Sequence, residues 1–286
     1  MPEPEPLDGG RGRRSPVVVS MLAIVVLLGA VALVASLVRH RAVPAEAEPS
    51  ASASTSAAPV PTTAPAGPWR VVRVGDRVTM ATSFTDPGTN DTHRCDFAWD
   101  DGTTTSGPAQ GDACRATHAY PAAGMYTVTS TVTDDDGGVG RAPGVLVVVY
   151  DPAAGPVRGS GRLGPGGAGA FDFVAGYPRR SATGPDGVLT FALPPAVNLD
   201  LHDHQRLDWL VVTPAGRFAV KGTARGSAGH EVGFVLYGYR PDRLRIVVWD
   251  GAAPEAGPVR YDSRPGTSFD LDAADPAPVE AGTIAA

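Results

Sequence analysis

In Tyr126–Thr133 the side chains divide between two faces with a period of two residues. Tyr126, Val128 and Val132 fall on one face, and Thr127, Thr129, Thr131 and Thr133 on the other. A helix would scatter these residues around its circumference, whereas a strand of an antiparallel sheet puts one set on a core and the other in water. Arg77 to Phe84 is a second such run, and Val145 to Tyr150 a third that is wholly apolar. Turn clusters divide them: Asp86-Pro87-Gly88, Asp100-Asp101-Gly102 and Asp134 to Gly138. Short strands at this spacing describe a β-sandwich, and no long amphipathic helix is visible in the residues that follow. The expected fold class is all-β.

Upstream of these strands the sequence is of another kind. Val17 to Val38 is a run of twenty-two residues without a charged side chain. At roughly 1.5 Å per residue a helix of that length reaches about 33 Å, enough for a hydrocarbon core of roughly 30 Å. The run exceeds the apolar region of a cleaved signal, and the nearest small-x-small site, Ala45-Glu46-Ala47, lies well past its end. Residues 17–38 therefore read as a single transmembrane anchor. Arg11, Arg13 and Arg14 precede it and Arg39 and Arg41 follow, which favours a cytoplasmic segment 1–16. Residues 39–68 are nearly all Ala, Pro, Ser and Thr towards their end, too poor in apolar surface to offset ordering entropy, and read as a disordered stalk. The formal net charge of −6 offers no broad basic surface, so nucleic acid is not expected as a partner. Of 24 basic residues only Lys221 is a lysine, and the Arg, Ala and Gly excess suggests a GC-rich bacterial coding sequence.

Several motifs carry a family likeness. Val74-Gly75-Asp76, Phe84 to Gly88, Trp99-Asp100-Asp101-Gly102, Thr117 to Tyr120, Ala123 to Val128 and Asp134 to Gly138 occur in order. Together they resemble a PKD domain over residues 69–151, with the usual W-D-F-G-D-G turn shortened. The resemblance implies an immunoglobulin-like sandwich used outside cells as a spacer or binding module, without catalysis of its own. Cys95 and Cys114, the only cysteines, flank the Trp99 turn of that module. A disulfide between them closes a loop worth roughly 3 kcal/mol and places the module in an oxidising compartment. The alternatives are two free buried thiols or half of a zinc site, for which no further ligand pair is at hand.

A second β-rich domain is expected over residues 155–266. Its strands are Phe218-Ala219-Val220, Val232 to Tyr237 and Leu244 to Trp249, the last with Leu244, Ile246 and Val248 opposite Arg243 and Arg245. With Gly169 to Val174, Asp208 to Val212, Ala219 to Ala224 and Asp242 to Asp250, this part resembles the β-rich domain found beside PKD modules in bacterial exported proteins. Residues 267–286, acidic and rich in Ala and Pro, read as a flexible tail.

Chemistry-bearing patterns are sparse. Nucleophile elbows and phosphate loops before helices are missing, and Gly164 to Gly167 sits between strands. His202-Asp203-His204 has spacing for a shared metal but lacks a third ligand, and reads more simply as a polar turn. His93 and His118 read as hydrogen-bonding groups of the PKD-like frame. Alternate loops of a sandwich gather at one end, so the loop of Asp86, Asn90 and Asp91 should meet that of Asp134, Asp135 and Asp136, with the Asp100 turn at the other end. Calcium on Asp86, Asp91, Asp134 and Asp136 is the one cofactor to weigh, against ordinary Asp-rich turns. No catalytic residue is expected. The alternative, an envelope-directed hydrolase, would need two carboxylates roughly 5–10 Å apart, such as Glu231 with Asp208 or Asp242. The expected function is a cell-membrane protein, single-pass with its C-terminal domains extracellular, that binds a protein or carbohydrate partner at the envelope.

Overall fold

The computed structural model describes residues 58–62, 69–88, 90–192, 200–201, 203–226, 229–253 and 257–286. The expected anchor at 17–38 and most of the expected stalk lie outside the described residues. Those residues contain strands and one 3₁₀ turn, with no helix long and apolar enough to cross a membrane. Residues 55–286 form one compact unit.

The first module holds β1 (Val60–Thr62), β2 (Trp69–Arg73), β3 (Arg77–Thr85), β4 (His93–Ala98), β5 (Thr104–Pro108), β6 (Ala113–Ala119), β7 (Gly124–Asp134), β8 (Val139–Arg141) and β9 (Val145–Tyr150). One sheet has the order β1-β3-β6, and the other β2-β9-β7-β4-β5 with β8 added to β7. Only β2 and β9 run parallel among these pairs. In β3 burial alternates without interruption, Val78, Met80, Thr82 and Phe84 inward and Arg77, Thr79, Ala81, Ser83 and Thr85 outward. Thr82 is tolerated inside because its hydroxyl meets that of Ser130 at 2.6 Å across the sheets.

Two boundaries differ from the sequence expectation. Val60–Thr62 was expected to be stalk, yet it pairs antiparallel with β3, Val60 opposite Thr85 and Thr62 opposite Ser83. Pro59 is buried, with its carbonyl against Gly140, where a Cβ would meet it at 1.9 Å. A composition typical of stalks does not prevent a short segment from satisfying an open sheet edge.

The second module contains β10 (Val157–Leu163), β11 (Gly169–Gly176), β12 (Asp186–Ala192), β13 (Asp200–Leu201), β14 (Asp203–Val212), β15 (Arg217–Arg225), β16 (Glu231–Tyr239), β17 (Arg243–Asp250), β18 (Val259–Asp262), β19 (Ala277–Pro278) and β20 (Ala281–Ala285). They form the sheets β13-β12-β11-β10-β20 and β14-β15-β16-β17-β18, with β19 also on β17. The second correction concerns the tail. Residues 267–286 are not a fraying end: β20 pairs with β10 from Arg158↔Ala285 to Arg162↔Ala281, and Leu271, Ala274 and Ile284 are buried. Three apolar side chains spaced along a polar segment suffice to dock it where an open sheet face waits.

Four sheets therefore stack around three cores. Val78, Phe97, Trp99 and Val128 belong to the core of the first module, and Phe171, Phe191, Phe234 and Ile246 to that of the second. A third core lies between modules, where Ala123, Met125 and Val148 meet Trp209, Val211, Ala219, Val235, Val247 and Trp249. The six-stranded sheet is thus covered on both faces, which is why β16 reads Val-Gly-Phe-Val-Leu-Tyr-Gly with every residue buried.

Candidate functional site

The first module is locked at both ends by a histidine–aspartate pair. At one end His93 Nε2 lies 2.6 Å from Asp86 Oδ2, and the His93 ring packs 4.6 Å from Phe84. Asp86 also accepts from Gly88 N–H at 3.0 Å. That backbone bond first, and His93 second, hold the Asp86 carboxyl below the usual carboxylate range. At the opposite end His118 Nε2 lies 2.7 Å from Asp101 Oδ2, and its ring stacks on Trp99 at 4.8 Å. Burial pushes the Asp101 carboxyl up, but hydrogen bonds from Thr103 and His118 more than offset it and the net shift is downward. Tyr120 completes this end by donating to the Trp99 carbonyl at 3.1 Å.

Between these ends Cys95 of β4 and Cys114 of β6 are bonded, tying the two sheets of the module together. Both sulfurs are within the core, with Cys114 fully buried.

The Asp-rich loops meet as the sandwich topology requires: Thr92 N–H donates to Asp135 at 3.2 Å, and His93 sits opposite Asp134 across β4 and β7. Asp86 is engaged by His93 and Gly88, Asp134 accepts from Gly138 N–H, and no group of three metal-ligating side chains occurs among the described residues. His202 lies outside the described residues, as do the side chains of Asp203 and His204. The carboxylates considered for glycoside hydrolysis are also apart. Glu231 and Asp242 stand at opposite ends of β16, a strand about 30 Å long at roughly 3.3 Å per residue. Asp208 is level with Lys221, itself opposite Val235, so Glu231 lies four residues along the sheet, about 13 Å. Neither pair reaches the separation that chemistry needs.

The most elaborate polar structure is at the junction, and sequence reasoning missed it. Trp69 of β2 projects from the first module and meets Trp209, Trp249 and Phe269 edge-on, at ring separations of 5.5, 6.2 and 5.9 Å. Beside it Lys221, only 8 % exposed, contacts Asp208 at 2.5 Å and the Ala252 carbonyl at 3.1 Å.

Below the C-terminal segment Arg245, 1 % exposed, uses its whole guanidinium. It grips Asp262 in a bidentate pair at 3.0 and 2.8 Å, and donates to the carbonyls of Thr267, Ser268 and Ala274. The expectation that Arg245 lies opposite Leu244 and Ile246 holds, but its face is covered. Tyr237 O–H donates to the Phe269 carbonyl at 2.7 Å, and Tyr239 to that of Leu271. The segment reaches the first module too: Thr127 Oγ1 donates to Asp270 at 2.8 Å. Burial outweighs that bond and raises the Asp270 carboxyl above its usual range. A shallow groove of about 270 Å³ runs along this seam, lined by Met125, Tyr126, Pro214, Arg217, Leu271 and Asp272 among others. The one sequence signal for the junction was the wholly apolar run Val145–Tyr150, which a strand with a wet face would not carry.

The topology of the first module, its disulfide and its tyrosine–tryptophan lock define an immunoglobulin-like sandwich. Residues 56–148 match the family model of the PKD domain, so this module is a PKD domain, beginning before Trp69 as β1 requires. A PKD domain points to an extracellular binding or spacer module. The second β-rich domain agrees with the strand content of the remainder. No curated protein matches the chain.

Proposed function

We propose that this chain is a membrane-anchored bacterial surface protein whose two β modules act as a rigid, non-catalytic spacer that presents polar strand faces to an envelope partner. The observation that carries the reading is the third core: PKD domain and second domain share buried Trp, Val and Met side chains across their contact. Two domains joined by a polar, hydrated contact would swing about their linker. A hydrophobic contact reinforced by a C-terminal segment that bonds to both instead holds one distance and one orientation. That is what a spacer requires.

The aromatic residues support spacing over tight capture. All four Trp, eight Phe and seven Tyr are among the described residues, and none is exposed. High-affinity protein contacts centre on Trp, Tyr and Arg, so a surface without exposed aromatics suits modest polar contacts to protein or wall polymer. The expected anchor at Val17–Val38, followed by Arg39 and Arg41, supports the attachment.

The test uses the full chain in its own host with an epitope after Ala286. Protease applied to intact cells should remove the epitope, and the membrane fraction should carry the protein with Cys95 and Cys114 oxidised. Recovery in the cytosol with both thiols reduced overturns the reading.

A further inference from the structure

Lys221 is the only lysine in a chain with 24 basic residues, and from a buried position it pairs with the half-buried Asp208. For that task arginine is the better residue, with five donors in a planar fork, and Arg245 performs it at Asp262 in the same sheet. What lysine has and arginine lacks is a primary amine able to act as a nucleophile. The backbone brings a carboxyl group to that amine by an irregularity. Between β14 and β15 Leu207 pairs with Gly222 and Trp209 with Lys221, so Asp208 is the extra residue of a bulge. Bulges re-aim side chains, and this one turns Asp208 onto its strand neighbour, Oδ2 at 2.5 Å from Nζ. The Ala252 carbonyl orients the amine at 3.1 Å, and the Trp69 ring covers it at 5.7 Å. The other carboxylate oxygen, Oδ1, accepts from Arg206 Nε at 3.1 Å.

We propose that Lys221 and Asp208 condense to a side-chain amide that cross-links β14 to β15 beneath the inter-domain contact. A proton passes from the ammonium to Oδ2 along the short contact, leaving a neutral amine beside a neutral acid. The Nζ lone pair then attacks Cγ, and the charge that develops on Oδ1 faces the Arg206 N–H. Oδ2 takes a second proton from Nζ and departs as water. The Nζ–Cγ bond forms, the Cγ–Oδ2 bond breaks, and nothing is oxidised or reduced. The second domain contains no cysteine. The amide would give it the covalent tie between strands that Cys95–Cys114 gives the PKD domain.

The single lysine makes the test clean. The full chain is purified in detergent, reduced and denatured, then treated with an amine-reactive label. The expected result is an intact mass one water below that of the Lys221→Arg and Asp208→Ala variants, after correction for the substituted residues. The label should stay off Lys221, and trypsin should release Leu207–Arg217 and Phe218–Arg225 as one linked species. Lys221→Arg keeps the ion pair, so its full mass separates the chemistry from folding. Wild-type protein of full mass, labelled at Lys221, overturns the proposal. The measurement is made on purified protein, so it fails or succeeds independently of where the chain resides or what it contacts.

Discussion

Strand β3 of the PKD domain and strand β16 of the second domain are both nine residues long, and they obey different rules. In β3 every second side chain is wet; in β16 only the first and last residues are reached by water. The difference is the number of covered faces. The β1-β3-β6 sheet has one core against it, whereas the β14–β18 sheet has the second-domain core on one side and the PKD domain with the C-terminal segment on the other. An alternating strand tells where a module ends, and a continuously apolar one tells where it is joined to something else. β9 shows both in six residues: Val147 and Val149 face the PKD core, while Leu146 and Val148 face the neighbour.

If the six-stranded sheet depends on its second cover, cutting the chain at the boundaries composition suggests should be the most damaging change. Residues 69–266 lack β1, β20, Leu271, Ala274 and Ile284. Fully burying a Leu or Ile side chain stabilises by roughly 1.5–3 kcal/mol, so their joint loss approaches the whole stability of a domain. That fragment is expected to give no cooperative thermal transition, and 56–286 a sharp one. Arg245→Met comes next. It leaves Asp262 buried without its partner and three carbonyls bare, a loss of about 3–5 kcal/mol in urea unfolding, with new protease sites between 263 and 280. Trp209→Ala attacks the shared core directly and should cost at least about 3 kcal/mol. If the domains behave as one body, the wild-type calorimetric trace shows one transition and this variant two; two in the wild type would break the comparison.

Reducing Cys95–Cys114, which are 19 residues apart, should cost about 3 kcal/mol and act on the PKD domain first. The smallest effects are with pH, and the two regions differ in sign. Asp86 and Asp101 have lowered folded values, so the stability they contribute is complete above the unfolded value of about 4 and is lost as pH falls through the folded ones. Asp270 has a raised folded value, so the fold gains stability as pH falls from neutral through it towards about 4. Urea midpoints between pH 7 and 3 should show the gain abolished in Asp270→Asn and the acid loss reduced in Asp86→Asn and Asp101→Asn.

Much of the PKD domain was legible beforehand. Tyr126–Thr133 falls within β7, Val145–Tyr150 is β9 residue for residue, and the disulfide joins the two cysteines named for it. These are local properties: period-two alternation, turn residues, and a pair of thiols with nowhere else to go. Apart from the apolar run Val145–Tyr150, the junction was not legible. Trp69 is 140 positions from Trp209 and 180 from Trp249, and nothing in their immediate neighbours marks them as partners. Asp208 and Lys221 were visible as residues but not as a pair, because their contact depends on a bulge. The tail was misjudged because three buried side chains among acidic and small residues leave its average composition that of a loose end.

The sequence alone determined the all-β class, three strands of the PKD domain, the one pair of cysteines available for its disulfide and the apolar run expected to enter a membrane, since each depends on residues near one another in the chain. The tertiary structure decided what the apolar faces meet: that β1 closes a sheet, that residues 267–286 cover another, and that two domains share a core. Burial is a relation between surfaces, and a surface learns its partner only when the chain has folded.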